Sequence, residues 1–114
     1  MLSDRFPTEI LRDILIPRDE FRPHPTVMDR ALWAAIPESV RRAHLARGES
    51  VLGFEYPPLP ATLFLEFARN GNRTRYQDPR NARRNALASL VIAECIENDD
   101  RFVDDIINGI WCTC

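Results

Sequence analysis

The sequence predicts an all-α fold, and three observations support this. Apolar residues recur at helical spacing in six segments of the 114-residue chain. No alternating run of apolar and polar residues competes with them as a strand. Proline, glycine and Asn/Asp positions fall between the segments, where helices begin and end. We therefore expect antiparallel helical hairpins.

The first 25 residues are expected to form an N-terminal arm with one short helix. This helix, at residues 8 to 15, carries one apolar stripe that Pro17 ends: Ile10, Leu11, Ile14 and Leu15. The segment RPHPT, 22 to 26, is expected to be an extended linker because proline removes a backbone donor and disfavours the helical conformation in the preceding residue. A second domain then runs over residues 26 to 114.

Two helices are predicted at the start of this second domain. The first covers residues 29 to 36, with Asp29 as its N-cap and Trp33 as a core anchor. Pro37 fits the first position of the next helix, which runs from about residue 38 to residue 47. Gly48 closes that helix or, if it is extended, Gly53 does.

A helix at residues 61 to 70 follows the rigid connection EYPPLP. Leu63, Phe64 and Phe67 lie at helical spacing in it and are expected to join the core. Gly71 stands where a left-handed C-terminal cap is needed.

The longest predicted helix runs from Pro79 to about residue 98, with Asp78 as its cap and Pro79 in its first position. Its apolar face is too wide for a surface helix: Leu87, Leu90, Val91, Ile92, Cys95 and Ile96. A last helix begins near residue 100, with Asp104 and Asp105 in its first turn.

The last helix is expected to bury the stripe Phe102, Val103, Ile106, Ile107, Ile110 and Trp111. Gly109 is expected to allow a close approach of a neighbouring backbone. No glycine cap, terminal cation or proline follows Gly109. This predicts a domain truncated at its C-terminus, and apolar helix faces left open for self-association.

Composition excludes several classes of protein. The net charge of −2, with 45% apolar and 28% charged residues, is that of an ordinary folded chain. Three cysteines without a CxxC pair predict neither a disulfide framework nor a zinc site, and no metal or cofactor is expected. No apolar run approaches the roughly 18 residues that span a bilayer, and acids occupy the start. If Met1 is the true start, we expect a cytoplasmic protein without a membrane partner.

Arginines crowd one stretch of the chain. Residues 69 to 84 hold six arginines against one acid, Asp78, and three of the arginines lie in the first turns of the predicted long helix, where the dipole opposes them. One interpretation is an anion site, with Asn72 and Tyr76 bonding sugar hydroxyls. The alternative is that the arginines pair with acids or are solvated. Nucleic acid is not expected, since the rest of the chain is acidic and no binding signature is present.

The order of several motifs resembles the N-terminal part of heparinase II/III-like polysaccharide lyases, over about residues 28 to 114. The motifs are Trp33, LPATLF at 59 to 64, GNR at 71 to 73, a two-arginine helix start, IAE at 92 to 94 and INGIW at 107 to 111. Their joint order and spacing carry the resemblance.

This resemblance implies an incomplete (α/α) toroid, continued in the family by further helices and an antiparallel β-sandwich domain. It implies β-elimination on a uronate-containing polysaccharide, with the groups that neutralise the carboxylate, take the proton and protonate the leaving oxygen beyond Cys114. No catalytic residue is expected in this chain. Five residues are expected to bind the acidic polysaccharide or oligosaccharide: Asn72, Arg73, Arg75, Tyr76 and Arg80. The alternative is a non-catalytic helical module that uses the arginine cluster to bind an acidic ligand.

Overall fold

A computed structural model of the chain describes residues 2–114, with side chains described from Asp4 onward. All regular structure in this range is helical, which confirms the all-α prediction. The helices, in chain order, are α1 (Leu2–Arg5), α2 (Thr8–Ile14), α3 (Arg30–Ala34), α4 (Glu38–Glu49), α5 (Ala61–Asn70), α6 (Thr74–Glu97) and α7 (Val103–Trp111). None of these helices is both long and apolar enough to cross a bilayer.

Helix α6 is the central element, and α4 and α7 pack along it. The core is small: Leu90, Ala93 and Phe102 are buried, and Leu45, Val51 and Ile106 pack against them. Gly48 permits the crossing of α4 over α6, because a Cβ atom there would come within 3.0 Å of the Cβ of Ala93. The prediction that Gly48 could end α4 is wrong. The helix continues through Gly48 to Glu49, and its C-cap is Ser50. Gly53 does not close the helix either, but lies with φ 69° in the turn that follows.

Helices α6 and α7 form an antiparallel hairpin. At its closed end the Glu94 carboxylate accepts hydrogen bonds from the backbone N–H groups of Asp100 (3.0 Å) and Phe102 (3.3 Å). At its open end Arg83 Nη1 donates to the carbonyl of Cys112 (2.7 Å). The predicted close approach at Gly109 occurs, although the neighbours are the side chains of Tyr56 and Leu87 rather than a backbone.

The N-terminal arm contains two short helices, α1 and α2, where one was predicted; its first residue lies outside the described range. Hydrogen bonds from Arg30, the first residue of α3, attach the chain after the arm to the end of α6. Arg30 Nη1 donates to the carbonyl of Cys95 (2.7 Å) and Arg30 Nη2 to that of Ile96 (3.0 Å). These carbonyls belong to the last turn of α6, where a cation is favoured by the helix dipole.

The molecule is flat and open. Its radius of gyration is 19.4 Å, with principal extents of 50 × 49 × 24 Å. A compact chain of this length has a radius of gyration of about 13 Å. The molecule is open because α1 and α2 do not pack closely on any other helix of the described chain. Helix α5 also packs only lightly on α6.

Two sequence-based predictions about α5 and α6 need correction. The aromatic stripe of α5 is not core, since Phe64 and Phe67 are exposed by 61% and 53%. Helix α6 begins at Thr74, so Asp78 is not its cap and Pro79 is its sixth residue. A proline there removes the hydrogen bond that its N–H would give to the carbonyl of Arg75 and brings its ring against that same carbonyl.

Candidate functional site

A groove lies between α5 and the first two turns of α6. Its volume is about 410 Å³. Eight residues line it: Leu63, Phe64, Phe67, Asn72, Arg73, Tyr76, Gln77 and Arg80. Four of the five residues predicted to bind an acidic saccharide are therefore together, and the fifth, Arg75, is not part of the lining.

The spacing along α6 explains why these side chains meet. Arg73, Tyr76, Gln77 and Arg80 follow one another at intervals of three, one and three residues, which places them on one face of a helix that starts at Thr74. Helix α5 supplies the opposite wall. It ends at Gly71, whose φ of 75° turns the chain back toward α6 as predicted.

Aromatic rings form the apolar part of the groove. The rings of Phe64 and Tyr76 meet edge to face with centroids 5.3 Å apart and an interplanar angle of 73°. The guanidinium carbon of Arg73 lies 4.8 Å from the centroid of Phe67, a cation–π distance. Arg73 is thus held on one wall while the residue remains exposed.

Asn72 holds the start of α6 in place. Its Oδ1 accepts from the backbone N–H of Arg75 (3.2 Å) and from the hydroxyl of Thr74 (3.2 Å). Its own backbone N–H donates to Oδ1 of Asn70 (2.9 Å). The side-chain oxygen of Asn72 therefore does the work of an N-cap, even though Arg73 occupies the capping position.

Arg75 is neutralised within the chain. Its Nη1 lies 2.9 Å from Oε1 and 3.2 Å from Oε2 of Glu66 on α5. This pair ties α5 to α6 beside the groove. Arg75 therefore fits the second interpretation of the arginine-rich stretch, in which its arginines pair with acids.

Arg73 and Arg80 differ from Arg75 in their charge environment. Neither forms an ion pair with an acid of the described chain, and none of the eight lining residues is acidic. The groove therefore presents two uncompensated guanidinium groups beside aromatic rings. Arg80 is in the second turn of α6, so it does not oppose the dipole at the helix start.

Two of the three remaining arginines of this stretch, Arg83 and Arg84, lie further along α6. Arg83 is half-buried and donates from Nε to the carbonyl of Pro57 (2.6 Å) and from Nη1 to that of Cys112 (2.7 Å). Arg83 therefore connects α6 with the segment before α5 and with the residue that follows α7. Arg84 is exposed on the next position of α6. The structural role of Arg83 was not predicted, because its acceptors are distant backbone carbonyls, which have no sequence signature.

The titratable side chains of the groove lining are those of Arg73, Tyr76 and Arg80. The lining has no histidine, cysteine, aspartate or glutamate. Among residues 4–114, no three His, Cys, Asp or Glu side chains are grouped to hold a metal ion. The chemistry available in the groove is hydrogen bonding, charge pairing and ring stacking.

A second concavity, of about 380 Å³, lies at the junction between the arm and α3. There the carboxylate of Asp29 accepts from the backbone N–H (2.6 Å) and the hydroxyl (2.9 Å) of Thr26, and these bonds lower the pKa of Asp29. Asp29 occupies the N-cap position of α3 as predicted, but its side chain makes no capping hydrogen bond and instead fixes the chain before the helix. Trp33 is half-buried there, with its Nε1 donating to the carbonyl of Thr26 (2.7 Å).

Comparison with known proteins gives no match to this sequence among protein-family models or among curated proteins.

Proposed function

We propose that the chain binds an acidic saccharide in the groove between α5 and α6. The observation that carries this proposal is the pair of uncompensated arginines, Arg73 and Arg80, in a groove whose walls are formed by Phe64, Phe67 and Tyr76. Cations without an acidic partner, gathered beside exposed rings, are arranged to bind an anionic ligand that also has an apolar face.

The chemistry of an acidic sugar matches both parts of the groove. A guanidinium group forms paired, charge-assisted hydrogen bonds with a carboxylate or a sulfate. An aromatic ring offers its face to the C–H groups of a pyranose ring, and the Tyr76 hydroxyl can exchange hydrogen bonds with sugar hydroxyls. The groove volume of about 410 Å³ lies within the usual range of roughly 300–1,000 Å³ for ligand pockets.

We further propose that these helices belong to a heparinase II/III-like polysaccharide lyase. Support comes from the motif order, together with the position of one motif in the fold: GNR at 71 to 73 turns the chain at the groove itself. In this proposal the chain contributes saccharide binding and the opening helices of an (α/α) toroid. The base and acid of the elimination come from the rest of the lyase, so this chain alone has no lyase activity.

The second candidate function is a non-catalytic binding module. It is favoured by the composition of the groove, which has cations and rings and no histidine, aspartate or glutamate to take a proton from C5 of a uronate. Both candidates require the same ligand class. They differ in whether the protein, together with whatever sequence its gene encodes after Cys114, releases an unsaturated uronate product.

Titration calorimetry with chemically matched oligosaccharides tests the binding proposal. We expect a uronate- or sulfate-bearing oligosaccharide to bind, and its neutral analogue of equal length to bind at least tenfold more weakly. The affinity for the acidic ligand is expected to fall with added salt, since the charge pairs are exposed. Equal affinity for the acidic and neutral ligands would contradict the proposal.

A further inference from the structure

The chain exposes far more surface than a folded protein of its size. Its accessible surface is 9009 Å² for 13.2 kDa. A compact monomer of that mass exposes about 6,400 Å², so the excess is about 2,600 Å². Stable protein–protein interfaces bury about 800 Å² on each partner, and obligate ones more. The excess is sufficient for a large interface.

One apolar stripe that contributes to this surface is on α7. The helix packs on α6 through the face that contains Ile106 and Gly109. A second face carries Ile107, Ile110 and Trp111, and these side chains are exposed by 56%, 50% and 85%. No helix of the described chain covers this face. We name it the α7 stripe.

The other apolar stripe is on the arm. Helix α2 and the residues directly after it expose Ile10, Ile14, Leu15 and Ile16. We name these residues the arm stripe. The arm does not pack on the α7 stripe of its own chain, since both stripes are exposed and α2 is absent from the closely packed helix pairs.

We propose that two copies of this chain form a symmetric dimer by arm exchange, with the arm stripe of each copy on the α7 stripe of the other. Helices α2 and α7, of seven and nine residues, are about 10 and 14 Å long and so match in length. Exchange covers both stripes of both copies at once and closes the assembly at two chains.

The simpler alternative, in which α7 pairs with α7 of a second copy, covers one helix face per chain and so buries less surface than an exchange that covers two. That pairing would also leave the arm stripe exposed. Arm exchange forms two contacts per dimer and uses both stripes.

Sedimentation equilibrium of the full chain and of two variants tests the proposal. Wild type is expected to be a dimer. Ile14→Arg on the arm stripe and Ile110→Arg on the α7 stripe each damage both contacts, so each is expected to raise the dimer dissociation constant about a hundredfold, or roughly tenfold per contact. Val40→Arg, at an exposed position of α4, is the matched control and is expected to remain a dimer.

Mixing the two damaged variants identifies the exchange directly. A heterodimer of Ile14→Arg and Ile110→Arg has one intact contact, because one chain supplies a normal arm and the other a normal α7 stripe. We expect the equimolar mixture to contain more dimer than either variant alone. A wild-type monomer, a fully dimeric Ile14→Arg variant or a mixture that stays monomeric would each overturn the proposal. Far-ultraviolet circular dichroism checks that each variant keeps its helices.

Discussion

Gly48 lies against Ala93 where α4 crosses α6, and a Cβ atom on Gly48 would come within 3.0 Å of the Ala93 Cβ and 3.3 Å from Cε1 of Phe102. The crossing brings α4 onto the small core of Leu90, Ala93 and Phe102. The core contains few other buried side chains, so little other packing could offset a substitution at Gly48.

Gly48→Ala is therefore expected to destabilise the protein. Overpacking costs about 1–3 kcal/mol, while replacing a helical glycine by alanine returns up to about 1 kcal/mol. We expect a net loss of about 1–2 kcal/mol in the free energy of unfolding, measured by urea denaturation. Ser39→Ala, on an exposed position of the same helix, is the control and is expected to change stability by less than about 0.5 kcal/mol. A Gly48→Ala variant as stable as wild type would show that the crossing has room.

Glu94→Gln is expected to loosen the turn between α6 and α7. The carboxylate of Glu94 is buried and accepts from two backbone N–H groups, those of Asp100 and Phe102. Glutamine retains one acceptor oxygen and leaves one buried donor without its partner, which costs about 1–3 kcal/mol. Glu55→Gln, at an exposed position, serves as the control. The prediction fails if the two variants have the same urea midpoint.

Tyr56 gives the protein a dependence on alkaline pH. Burial, and to a lesser degree the charge of Asp105, raise the pKa of Tyr56 above its ordinary value of 10.0. The folded state therefore favours the neutral phenol, whose hydroxyl donates to the carbonyl of Asp105 (3.2 Å). This contribution is fully present below pH 10.0 and is lost as the pH rises through the folded-state pKa.

We expect stability to fall more steeply in wild type than in Tyr56→Phe as the pH rises above about 10. At neutral pH the variant is expected to be less stable by about 1 kcal/mol, through the loss of one hydrogen bond. Urea midpoints of both proteins across this range provide the measurement. Parallel curves for the two proteins would show that Tyr56 does not carry the dependence, and Cys95, whose pKa is also raised by burial, would then be tested in the same way.

Much of the helical architecture could be predicted from the sequence, because it is encoded locally. The periodicity of apolar residues gave the helices, and Gly71 and Asn98 end α5 and α6 with φ values of 75° and 58°. The start of α6 could not be predicted in this way. Pro79 matches a first helical position so well that the sequence favoured a start five residues too late.

The site was partly predictable for the same reason. Asn72, Arg73, Tyr76 and Arg80 were grouped by their proximity in sequence, and the structure brings them to one groove. The aromatic wall on α5 was expected to be core, because exposure depends on which helices pack against α5 and not on its own periodicity. The Glu66–Arg75 pair was one of several possible pairings, and only the fold selects it.

Arg75 and Arg73 are expected to contribute differently to ligand binding. Arg75 is paired with Glu66 and does not line the groove, whereas Arg73 lines it without an acidic partner. Arg73→Gln is expected to weaken the binding of an acidic oligosaccharide about tenfold, the effect of losing one exposed charge-assisted contact. Arg75→Gln is expected to change it less than about threefold. Calorimetric titration measures both, and a larger effect from Arg75→Gln would contradict this assignment.

The most direct measurement of the central claim compares two substitutions that remove the same charge. Arg80 lines the groove, whereas Arg69 is an exposed arginine at the end of α5 that does not. If the groove binds an acidic saccharide, Arg80→Gln weakens calorimetric binding of a uronate-containing oligosaccharide at least tenfold, and Arg69→Gln leaves it nearly unchanged. Equal affinities for wild type and both variants, or no binding by wild type, would contradict the claim.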